Sequence, residues 1–243
     1  MSFRQQALLT ALAGAQSLRP DFIAVKLQFV IKTQKFYLIL VGGRYGFGHF
    51  NMEQKIYVVL TRTSTNLSKI IRLLTHRPYN HISIALDHEL YQLYSFGRRY
   101  PRNPFITGFV REDIAAGFYH YFNDTTCIVY ELGITPEQKN KLTEYLKPFL
   151  REPLKYGFNF IGLITCGLHI PFSRRNRYFC SQFVSEALDK SGILRIDRDA
   201  RLLQPADFME LLHARVVYQG KIVDYQYTPL AQGGKEHLAV KAG

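Results

Sequence analysis

A chain of 243 residues with 47% hydrophobic and 21% charged residues has room for one sizeable domain, or for one domain with an appendage, and its ordinary globular balance lets it bury a core, which excludes a wholly disordered chain. Its formal net charge of +12 favours anionic partners, although no basic stripe with interleaved aromatics marks a specific nucleic-acid surface, and a plain basic protein explains the charge equally well. Cys127, Cys166 and Cys180 lie far apart with no C-x-x-C, which argues against a disulfide framework or zinc site and fits a reducing, cytoplasmic setting.

No apolar run is long enough for a spanning helix. Residues 7–15 form a short apolar patch, broken by Thr10 and Gly14 and preceded only by Arg4, a poor export signal. Residues 1–51 hold six Lys or Arg against one acid, Asp21. Either this is a basic N-terminal extension, or translation starts at Met52. "VGGRYGFGHFN" within it reads as a Gly-rich loop rather than a phosphate cradle, so no function is assigned there.

Regular patterning begins after Met52. "KIYVVL" is a buried strand, and "STNLSKIIRLLTH" is a helix with Ser64 or Thr65 as its cap. "HISIALD" alternates as a strand and pairs as a hairpin with "ELYQLYSFG", residues 89–97. Residues 98–124 read as irregular, and "TTCIVYEL" as another strand. Thr135, Pro136 and Gln138 spell a capping box, opening a helix whose apolar face is Leu142, Tyr145, Leu146 and Phe149. "NFIGLITCGL" reads as a buried helix, "IPFSRRNRY" as a basic loop, and a helix from Cys180 stops at Gly192. "RVVYQGKIVDYQY" suggests a last hairpin around Gln219-Gly220, and residues 232–243 a disordered tail. Interleaved helices and hairpin-linked strands give an α+β class, with the main domain at 52–231.

Cys180 has two readings. Cys180, Phe183, Val184, Ala187 and Leu188 share one helical face, so the thiol can be a small core residue. It also stands at the helix N-terminus, where unpaired N–H groups and the helix dipole favour a thiolate and can hold an oxyanion. Cys127 and Cys166 lack that position and read as structural. A nucleophilic cysteine needs a base. Of the eight histidines, His81 is best placed: it opens a strand whose same-face Ser83 and Ala85 are short, leaving space for a helix bearing the thiol.

The run "NHISIALD", then "LYQLYSFGR", then "YFCSQFVSEAL" roughly eighty residues later resembles the circularly permuted branch of the papain-like thiol hydrolases related to the NlpC-type peptidases. "LKYGFNFIGLI" is similar to the helical lead-in of the amidase-like members. The resemblance covers residues 53–225. It implies an antiparallel sheet packed against helices, with a nucleophile at Cys180 facing a base at His81. It also implies a third polar residue that orients the imidazole. The strand after His81 offers no acid there; Ser95 is the candidate, with Gln92 as the alternative. Tyr178, Arg98 and Arg177 are candidate substrate contacts.

Two functions follow. One is a cysteine hydrolase or acyltransferase acting on a small-molecule, peptide or lipid-type amide, ester or thioester, without metal or cofactor. The other, favoured by the missing acid, is a non-catalytic binding module on the same fold.

Overall fold

The computed structural model describes residues 26–31, 34–41, 44–48, 54–63, 78–114 and 117–226. The chain divides into two units, Met1–Met52 and Glu53–Gly243. The helix expected over 64–76 and the C-terminal tail lie outside the described residues.

The first unit contains strands β1 (Lys26–Ile31), β2 (Gln34–Val41) and β3 (Arg44–Gly48) in an antiparallel meander. The "RYGFG" run is therefore a strand rather than a loop, with Tyr37 opposite Gly48 and Val41 opposite Arg44. Its ladder uses backbone groups that every residue carries, and glycine is tolerated on an edge strand such as this one.

The second unit is α+β. Its six-stranded sheet contains β4 (Gln54–Arg62), β5 (His81–Ala85), β6 (Leu93–Tyr100), β7 (Asn103–Glu112), β8 (Thr126–Ile134) and β11 (Arg215–Lys221). The order is β11-β8-β4-β5-β6-β7, and every neighbouring pair is antiparallel. Period-two alternation divides the strands between two cores. Ile56, Val58, Leu60, Ile82, Ile84 and Phe96 face one core. Tyr57, Val59, Ala85, Leu93 and Val129 face the other, where Tyr119 of the short helix α1 (Gly117–Tyr121) closes it.

Helices α2 (Pro136–Arg151) and α4 (Cys180–Lys190) cover the first face. The capping box of α2 is present: Thr135 Oγ1 accepts from Gln138 N at 3.1 Å, and Gln138 Oε1 accepts from Thr135 N at 2.9 Å. Phe183 of α4 meets Phe96, Phe109 and Phe149 with ring centroids 5.3–5.7 Å apart. Gly192, at φ +69°, stops α4 as its sequence indicates, in a conformation that costs other residues more.

Four expectations are corrected. First, the strand after β5 begins at Leu93, not Glu89, because the Asp87 carboxylate accepts the N–H groups of Tyr91 and Gln92 and ties them into a turn. Second, the supposedly irregular segment 98–124 contains β7 and α1; exposed Phe105 and Ile106 disguise the alternation of β7. Third, Gln219 and Gly220 sit within the β11 ladder opposite Ile128 and Cys127, so they do not form the turn of a hairpin. Fourth, helix α3 (Phe160–Gly167) buries only Gly162 and Cys166 and is otherwise turned outward or half-covered. Among the described residues no helix is long and apolar enough to cross a membrane.

Candidate active site

Two short strands, β9 (Gly157–Phe158) and β10 (Arg177–Tyr178), pair in parallel immediately before α4 and fix where that helix begins. Phe179 takes the N-cap position in extended conformation without a side-chain cap, and the first N–H to bond back is Phe183 N, 3.0 Å from Phe179 O. The preceding N–H groups have no carbonyl one turn behind them to bond. Cys180 stands among them, 4% exposed.

A cavity of about 80 Å³ opens at this point. Cys180, His81, Asn80, Glu112 and Arg98 border it, and Phe96, Phe118, Phe158, Phe160 and Leu163 make its wall mostly apolar. Sulfur and imidazole thus share one cleft, but by a different route from the one the strand pattern suggests. Helix α4 packs with the face of β5 that carries Ile82 and Ile84, because those residues supply the apolar surface it needs. The His81–Ser83–Ala85 face belongs to the opposite layer. His81 reaches the cleft because it is the first residue of the strand, at the end of the sheet. Among the described residues no hydrogen bond joins the thiol to the ring; His81 Nε2 lies 3.4 Å from Ser83 Oγ.

The electrostatics favour neutral groups. Burial pushes the Cys180 thiol up to about 11, opposed by the N–H groups of Ile82, Ser181 and Cys180 itself and reinforced by the Glu112 charge. Burial also raises Cys127 and Cys166, both to about 12, and neither thiol has an opposing N–H group to hold it down. His81 keeps some solvent contact as a residue, yet its ring is packed densely enough for desolvation to bring it down to about 4. The resting pair is therefore thiol and imidazole.

Ser95 is buried and close to the ring: a Cβ on Gly97 would lie 3.6 Å from His81 Cε1 and 3.9 Å from Ser95 Oγ. Its hydroxyl is 3.5 Å from Glu112 Oε2, which the Tyr119 hydroxyl also approaches at 3.4 Å. Gln92 is engaged elsewhere, accepting from Tyr94 Oη at 3.0 Å. Arg98 borders the cavity. Tyr178 instead packs against Phe96 and Phe149, at 5.2 and 5.5 Å, because its ring completes the aromatic core. Arg177 lies over Gly157, its guanidinium filling the space a Cβ there would need. Neither borders the cavity with Cys180.

Sequence reasoning missed two residues. Glu112 brings a carboxyl group to the cleft from the end of β7; burial raises it to about 7 despite hydrogen bonds from Tyr119 and Ser95. Asn80 precedes His81. Its Oδ1 accepts from Thr63 N at 3.4 Å, while its buried Nδ2 has no acceptor among the described residues. Its place inside the "NHIS" run was the only available signal. Among the described residues no group of three His, Cys, Asp or Glu side chains is arranged to hold a metal.

No family model, curated protein or solved structure matches this chain.

Proposed function

We propose that this chain is a thiol hydrolase or acyltransferase acting on an amide, ester or thioester through Cys180 and His81, on a permuted papain-like fold of the NlpC type. The observation that supports this most is the shared cavity: the sulfur at the start of α4 and the ring at the start of β5 border one cleft. A strand-borne His preceding a helix-borne Cys, with an antiparallel sheet packed against helices, is the order that the resemblance implies.

In this reading the scissile carbonyl enters beside Cys180. Its carbon bonds to sulfur as the thiol proton passes to His81. The N–H groups at the start of α4 and the Asn80 amide stabilise the oxyanion. The protonated ring gives its proton to the leaving amine, alcohol or thiol, leaving a thioester on Cys180. Water, or an acceptor nucleophile, then attacks that thioester, releasing acid or transferred product and restoring the thiol. Ser95 and Glu112 form the polar bed beside the ring. Three buried free thiols fit a reducing, cytoplasmic setting.

The test is intact-protein mass spectrometry after exposure to a p-nitrophenyl ester, an acyl thioester and an acyl anilide. An acyl adduct on Cys180 is expected, absent in Cys180→Ala and formed about 10²–10⁴ times more slowly in His81→Ala. Absence of an adduct with all three bond types overturns the proposal. One observation favours the second reading, a binding module: the site holds a neutral thiol and imidazole with no hydrogen bond between them. Its signature is a ligand retained equally by the native protein and Cys180→Ala, with no turnover by either.

A further inference from the structure

Helix α3 combines two properties that a water-facing surface rarely carries together. Its outward stripe is apolar: Ile161, Ile164, Leu168 and the following Ile170 are 48%, 60%, 65% and 54% exposed. Ile161, Ile164 and Leu168 recur at helical spacing on the side opposite Gly162 and Cys166, the two residues that α3 buries, and Ile170 follows just past the helix end. A contiguous apolar stripe of this kind marks an interaction surface. Along the sequence that carries it the charge has one sign, although Asp207 lies near enough to act on Cys166 from the buried side. From Glu152 to Glu186 the chain has no intervening acid, while Lys155, Arg174, Arg175 and Arg177 lie between them. Arg174 and Arg175 are exposed in the loop that returns from α3.

We propose that α3 and its return loop form an interfacial element that docks on an anionic lipid bilayer. The apolar stripe enters the boundary between headgroups and acyl chains, and the arginines meet lipid phosphates. The local anchoring suits this. The Asn159 side chain caps α3, accepting from Gly162 N at 3.0 Å, and Asn159 N donates to Tyr178 O at 2.9 Å. The helix is thus presented on a fixed base. Phe160 and Leu163, on the same helix, border the Cys180 cavity, so the docked face adjoins its mouth. Docking itself is independent of turnover at Cys180.

The chain has no tryptophan, so Ile164→Trp reports on this surface alone. The full chain is sedimented with vesicles of phosphatidylcholine, or of phosphatidylcholine mixed with phosphatidylglycerol. Expected results are salt-sensitive binding to the mixed vesicles, a blue shift of the Ile164→Trp emission, and quenching by brominated acyl chains. A tryptophan replacing Val216, on the edge strand β11, should show neither optical change. Replacing Ile161, Ile164 and Leu168 by Ser should weaken partitioning about tenfold or more, with circular dichroism unchanged because all three are exposed. Charge reversal at Arg174 and Arg175 should have a similar effect. The proposal is overturned if mixed vesicles do not bind, or if they bind while the indole of the Ile164→Trp variant stays in water, which assigns binding to another cationic surface. Self-association abolished by the triple Ser change also overturns it, in favour of a second copy covering this face.

Discussion

At Cys180 two influences compete, and burial wins over the helix-start N–H groups. Alkylation by iodoacetamide should therefore be slower than that of free cysteine at neutral pH, with a rate rising until about pH 11. Glu112→Gln removes a charge that opposes the thiolate, so the same profile should shift to lower pH. Glu112 and His81 also set opposing pH dependences of stability. From about pH 4.5 to 6.5 the unfolded chain carries an ionised Glu112, whereas the folded carboxyl, at about 7, keeps its proton; stability falls as pH rises. Over the same range the unfolded His81 is protonated and the folded ring, at about 4, is neutral; stability rises with pH. The two nearly cancel. Glu112→Gln leaves the His81 contribution alone, so across that window the variant should gain about 1–2 kcal/mol on the native protein, somewhat less than full linkage because both groups keep some water contact. Urea midpoints at several pH values check this, and parallel profiles would refute it. The place of Cys180 at the start of α4 was legible from helical spacing, whereas strand alternation put His81 on the face that α4 does not cover, and its position at the very start of β5 is what brings it to the same cleft. Glu112 was not legible, because only the β6–β7 pairing carries it from an unpatterned segment to the cleft.

Among the elements, α2 was the most legible, since a capping box is a local signal that tertiary contacts need not supply. Thr135→Ala should cost about 1 kcal/mol in chemical unfolding, and Gly192→Ala a comparable amount from its positive φ. Phe183→Ala removes the ring on which four aromatics, Phe96, Phe109, Tyr145 and Phe149, converge and should cost about 3–5 kcal/mol. Helix α3 shows where pattern reading stops. "FIGLITCG" has the composition of a core helix, and composition does not say which way a helix faces. The face of β5 chosen by α4 has the same origin: alternation separates Ile82 and Ile84 from His81 and Ser83, but not which set meets a helix. The β7 strand was hidden because its outer half exposes the residues that usually mark a core.

For the whole molecule, the second unit carries its own sheet with an apolar layer on each face. A chain beginning at Glu53 is therefore expected to unfold in one cooperative thermal transition with intact near-ultraviolet dichroism; a broad, non-cooperative melt would count against that autonomy. The β9–β10 pair has a consequence of another kind. Gly157 N donates to Asn176 O at 3.0 Å, so the stretch 159–176 leaves and rejoins the body at one staple, two residues before the sulfur. A loop rooted this way can change length or composition at little entropic cost to the rest of the chain. Residues 159–176 therefore behave as an exchangeable cassette: grafting a different sequence between the same two roots should keep the start of α4 in place while rebuilding the side of the cavity that Phe160 and Leu163 wall.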